Sequence, residues 1–99
     1  MLISKENAQI RDRIFFFDKR IEAMHQAFYK YYNGIDHKVP DWEDLERELI
    51  IYSRKKIIDL ELSNNFERIL LKFQNRKKIW MAWLEESHHS GASHSSLSR

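Results

Sequence analysis

Residues 10–31 read IRDRIFFFDKRIEAMHQAFYKY, and their spacing decides the fold. Apolar side chains fall at Ile10, Ile14, Phe17, Ile21, Met24, Phe28 and Tyr31, in steps that alternate four and three. That alternation is the period of a helix presenting one seam to a partner. Ser4 offers an N-cap, since its hydroxyl can accept from an orphan N–H of the first turn. The spacing therefore predicts a first helix from about residue 5 to 32. Asn33-Gly34 is a helix-stop signal, Pro40 follows six residues later, and the stretch between them reads as a loop.

Beyond Pro40, Asp41 is an N-cap, with Glu43 and Asp44 in the first turn where the helix dipole favours anions. Trp42, Leu45, Leu49 and Tyr52 make one stripe, with Ile50 and Ile57 to one side and Ile51, Ile58 and Leu62 to the other. Only a narrow polar line at Glu43, Arg47, Arg54 and Glu61 remains. A helix apolar nearly all round is covered from more than one direction, which predicts that this element is the centre of the fold. Leu62-Ser63-Asn64-Asn65 is weak helix material, and Asn64 with Glu67 reads as a capping box. A break near residue 64 and a third helix over about 65–87 follow, with a core stripe of Phe66, Ile69, Leu70, Phe73, Trp80 and Leu84.

The fold class is thus all-α: a three-helix up-down bundle, or a long helical hairpin that dimerises. One helical domain spans 1–87. Residues 88–99 are His, Ser, Gly and Ala for the most part, and with little to bury they read as a disordered tail. Ninety-nine residues suit one domain with a thin core. There is no cysteine, which excludes disulfides and thiolate zinc sites. No apolar run is long enough to cross a bilayer, and residues 1–9 hold no run of signal-peptide type, so the expected setting is cytoplasmic, away from membranes.

Net charge is only +2, but it is segregated. Residues 41–62 carry four basic and seven acidic side chains, whereas residues 63–84 carry five basic and one acidic. Arg68, Lys72 and Arg76 recur at i, i+4, i+8 along one flank, Trp83 continues that flank, and Lys77 and Lys78 thicken the charge. Cations displace the counterions of a phosphate backbone and a ring offers a stacking surface, so this row is the candidate nucleic-acid site. The alternative reading is a solvated helix face, or pairing with the acidic second helix. Phe15 and Phe16 are thrown round the helix away from the seam by its turn of about 100° per residue. With Tyr29, Tyr31 and Tyr32 they form a candidate protein interface; aromatic residues are 13% of the chain.

The sequence contains no nucleophile motif, phosphate loop or zinc pattern, so no catalytic residue, cofactor, metal or small-molecule substrate is expected. Of the Glu-x-x-His pairs, Glu22/His25 lies off the helix-one seam and Glu85/His88 and Glu86/His89 enter the tail, so they do not read as the inward pairs of a di-iron bundle.

Two resemblances bear on function. Ile10-Arg11-Asp12-Arg13-Ile14 with Phe17-Asp18-Lys19-Arg20-Ile21 resembles the opening of the all-helical chorismate mutases, which implies an active-site role for Arg11. The likeness departs from that family at Phe28, where its next catalytic arginine belongs, and at Val39, where a lysine belongs. In size, helicity and charge segregation the chain is also similar in type to the small subunits of CRISPR interference complexes, which implies antiviral defence and sequence-independent contact with RNA or DNA backbone. The leading expectation is therefore a non-catalytic subunit of a larger assembly that touches nucleic-acid phosphates. The alternative is a self-associating coiled-coil adaptor or scaffold with no nucleic-acid role, and the mutase-like enzyme stands last.

Overall fold

The computed structural model describes residues 2–94, with side chains described for residues 5–87. Three helices follow one another: α1 (Leu2–Tyr32), α2 (Trp42–Ser53) and α3 (Leu60–His94), with no strand among the described residues. The disordered tail expected over 88–99 lies, for its side chains and for everything past His94, outside the described residues.

Pairs along the chain fix the topology. Asn7 meets Asp59, Asp18 meets Lys72, His25 meets Trp80 and Tyr32 meets Glu86, so α1 and α3 run parallel and in step. Phe17 meets Tyr52 while Arg20 meets Glu48, so α2 runs antiparallel to them. This is an up-down-up bundle.

The core is the seam of α1 against the stripe of α3. Phe17, Ile21 and Phe28 are fully buried with Phe66, Phe73 and Trp80, and α2 adds Leu45 and Leu49. Phe28 stacks on Trp80 with ring centroids 4.9 Å apart, and Phe73 meets the same indole edge-on at 5.7 Å. Aromatic contacts of these kinds stabilise a core beyond the area they bury.

The central element is not α2. The α1–α3 pair makes the principal packing, and α2 is a twelve-residue prop that covers it from one side. Ile50 and Ile51 on the outer side of α2 are 49% and 57% exposed. The expectation of cover from several directions treated 42–62 as one helix, and the chain instead turns inside that stretch.

The break falls at 54–59, not at 63–65. Ser53 Oγ donates to the Ile50 carbonyl at 2.6 Å, and the N–H groups of Arg54 and Lys55 close on Ile51 and Tyr52, three residues back. That tightening ends α2. Asp59 then caps α3, its Oδ1 accepting from the Leu62 N–H at 3.0 Å. Asn64 lies inside the helix and starts nothing. At the other end α1 already begins at Leu2, upstream of the cap expected at Ser4.

The remaining punctuation holds. Gly34 has φ +78°, its N–H bonds the Tyr31 carbonyl, and the Ile35 N–H reaches back to Lys30 at 2.8 Å. This paired closure over a left-handed residue is the Schellman stop, and glycine alone takes that φ without strain. Asp41 caps α2 through the Asp44 N–H.

Candidate interaction surfaces

The basic row of α3 lies along the α1–α3 junction, and carboxylates of α1 face its middle. Lys72 Nζ donates to Asp18 Oδ1 at 2.6 Å and lies 2.6 Å from Glu22 Oε2. One turn on, both terminal nitrogens of Arg76 reach Glu22, the closer at 3.1 Å. The parallel, in-step helices create this ladder, because carboxylates at 18 and 22 and cations at 72 and 76 share the same one-turn spacing. The charges set each other's titration. Hydrogen bonding from Lys72, with Arg76 assisting against some desolvation, holds the Glu22 carboxyl below its ordinary value, and Asp18 and then Glu22 hold Lys72 above its own.

Lys77 faces the other way, toward α2. It pairs with Glu46 at 2.7 Å, and its ammonium lies 4.8 Å from the centre of the Trp42 ring. Arg68 and Lys78 are exposed and make no ion pair among the described residues. Trp83 is half-buried rather than displayed: it stacks on Tyr32 at 5.0 Å and lies 5.5 Å from His25. The six candidate phosphate-contacting residues therefore divide. Lys72, Arg76 and Lys77 are held by carboxylates, Trp83 sits in an aromatic cluster, and Arg68 and Lys78 face solvent.

The aromatic band also divides. Phe15 is 60% exposed on the outer face of α1, with Lys19 Nζ 4.9 Å above its ring. Phe16 lies on the α2 side between the guanidiniums of Arg13 and Arg20, at 5.0 and 5.6 Å. Tyr29 and Tyr32 gather beside Trp83, where the Tyr32 hydroxyl donates to Glu86 at 2.8 Å, and Tyr31 is half-buried. The hydrogen bond to Glu86 pushes the Tyr32 phenol up. Phe15, Phe16 and the Tyr29/Tyr32 pair thus lie in three separate patches, and Tyr31 is not displayed with them.

His25 is a structural acceptor. The buried Trp80 Nε1–H donates to His25 Nδ1 at 3.1 Å, which requires that nitrogen unprotonated. Burial, with the nearby Arg76 charge, pushes the imidazole below its ordinary value against the pull of Glu22. The Glu22/His25 pair is thus divided between an ion-pair ladder and an indole. No three His, Asp or Glu side chains converge as metal ligands among the described residues.

The positions suggested by the mutase resemblance are scattered: Arg11 is exposed on α1, Phe28 is in the core and Val39 is in the loop. A groove of about 500 Å³ runs between α1 and the loop, with Ala23, Met24, Ala27, Val39 and Pro40 as its apolar wall and Arg20, Asp36, Lys38 and Asp41 around it.

A surface that the sequence reading did not single out is aliphatic. Ile58 is 81% exposed, Leu60 74% and Leu71 60%. The signal was present in residues 50–58, IIYSRKKII, where two isoleucine pairs bracket three cations. Assigning this run to a helix interior concealed it. No family model, no curated protein and no solved structure matches the chain.

Proposed function

We propose that the protein is a non-catalytic helical subunit that works by protein–protein association, its own self-association included. The observation that supports this most is the placing of apolar side chains: the α1–α3 seam is filled, yet Phe15, Ile51, Ile58, Leu60 and Leu71 each remain more than half exposed. Exposed apolar surface marks association where it is contiguous, as at Ile58 and Leu60 on either side of Asp59. Three of the five cations of the candidate phosphate row, Lys72, Arg76 and Lys77, are already matched by carboxylates, and releasing them would cost those pairs.

Nucleic-acid contact is the second reading, and one observation favours it: Arg68 and Lys78 remain exposed without ion-pair partners among the described residues. Two cations give weak, sequence-independent binding with a shallow salt dependence.

Light scattering of the full chain, from micromolar concentration upward, tests the first reading. A mass rising above the 12.1 kDa of one chain supports it. A constant 12.1 kDa, with an affinity for nucleic acid that falls when Arg68 and Lys78 are reversed in charge, turns the choice to the second.

A further inference from the structure

The outer face of α2 carries an acid at one end and a base at the other. Glu43 and Arg54 are eleven residues apart, which returns them to within about 20° of the same line along the helix and separates them by about 16 Å. Both are exposed, and neither makes an ion pair among the described residues. Between them lie Arg47, held at 2.8 Å by Asp44, and the exposed pair Ile50 and Ile51. These side chains, with Glu46 held by Lys77, line a shallow open trough of about 600 Å³.

The face is therefore charged at its ends with opposite signs, and between them Ile50 and Ile51 lie beside Arg47, whose charge Asp44 answers. A uniformly anionic partner, whether a lipid surface or a phosphate backbone, would meet Glu43 as well as Arg54. A second copy laid antiparallel across a two-fold axis answers both ends at once. Glu43 then faces Arg54 of the second copy, Arg54 faces its Glu43, and the axis falls between Glu48 and Leu49, where the Ile50 side chains of the two chains meet beside the Asp44-paired Arg47. Two-fold contacts require this self-complementarity, and a helix carrying acid at one end and base at the other supplies it when paired antiparallel.

We infer that the outer face of α2 is a two-fold self-association surface, with Glu43–Arg54 pairs at both ends and Ile50 and Ile51 at its centre. This inference rests on the protein-association reading above and assigns that reading a face and a register. One face of a three-turn helix lies at the small end of specific interfaces, where weak and transient contacts fall.

A charge-reversal cycle, read by sedimentation equilibrium on the full chain, tests it. Glu43→Arg and Arg54→Glu each set like charges opposite one another twice per dimer, so each weakens association by about tenfold or more. The double variant E43R/R54E restores the opposite pairing and returns to within about threefold of the original dissociation constant. Far-UV circular dichroism verifies that each variant keeps its helices, and Ile50→Glu, which leaves the charge pair intact, weakens the dimer as well. A dimer indifferent to both single reversals, or one that the double variant fails to restore, overturns this face and register while leaving self-association standing. A monomer at every concentration overturns both.

Discussion

At the residue scale, the contact between Trp80 and His25 couples the core to pH. The indole N–H has one acceptor, and protonating His25 at Nδ1 would set two N–H groups against each other in a buried site. Because burial and Arg76 lower the folded-state value, the unfolded chain binds the proton more readily. Stability is therefore complete above the ordinary histidine value of about 6.5 and falls as pH drops from there toward the lower folded value. We expect the urea midpoint of the protein to decrease between pH of about 7.5 and about 5.5, and His25→Gln, which keeps an acceptor without a titrating ring, to flatten that decrease. Glu22 and Glu48, both lowered by cations, add a separate loss only at more acid pH. Trp80→Ala removes the ring on which Phe28 and Phe73 pack and should cost about 3–5 kcal/mol in chemical denaturation. Lys72→Ala acts on a partly exposed pair and should cost no more than about 1 kcal/mol. The i, i+4, i+8 spacing of Arg68, Lys72 and Arg76 gave their common flank. It carried no information on what lies opposite, and that depends on the register between α1 and α3.

At the scale of the element, what was legible in the sequence was what one helix encodes by itself. The seam of α1 could be read because seven consecutive apolar positions keep one period, and its end because Asn33-Gly34 is local chemistry. The α2–α3 elbow was harder. Asp59 is as good a cap as Asn64, and the choice between them turns on whether Ile58 and Leu60 are buried. Their exposure follows from the shortness of α2, a tertiary fact. The placement of the break has a direct test: Asp59→Ala should lower stability by about 1 kcal/mol through loss of the cap, and Asn64→Ala should leave it nearly unchanged. Gly34→Ala meets no atom within 4 Å, so its cost, about 1–2 kcal/mol by thermal unfolding, is conformational strain at positive φ alone.

On the scale of the whole molecule, two long parallel helices with a short prop leave much of their outer surface uncovered. Part of the basic row is matched within the fold: Asp18 and Glu22 of α1 meet Lys72 and Arg76, and Glu46 of α2 meets Lys77, while Arg68 and Lys78 stay exposed. The apolar surface is what remains for a partner. Sedimentation velocity of the full chain, with and without labelled single-stranded nucleic acid at low salt, tests that division in one measurement. The expected result is a protein boundary that moves faster as concentration rises, while the nucleic acid sediments as it does alone. A protein that sediments by itself as the 12.1 kDa monomer at every concentration, and that moves the nucleic acid into a faster boundary when the two are mixed, would overturn that division.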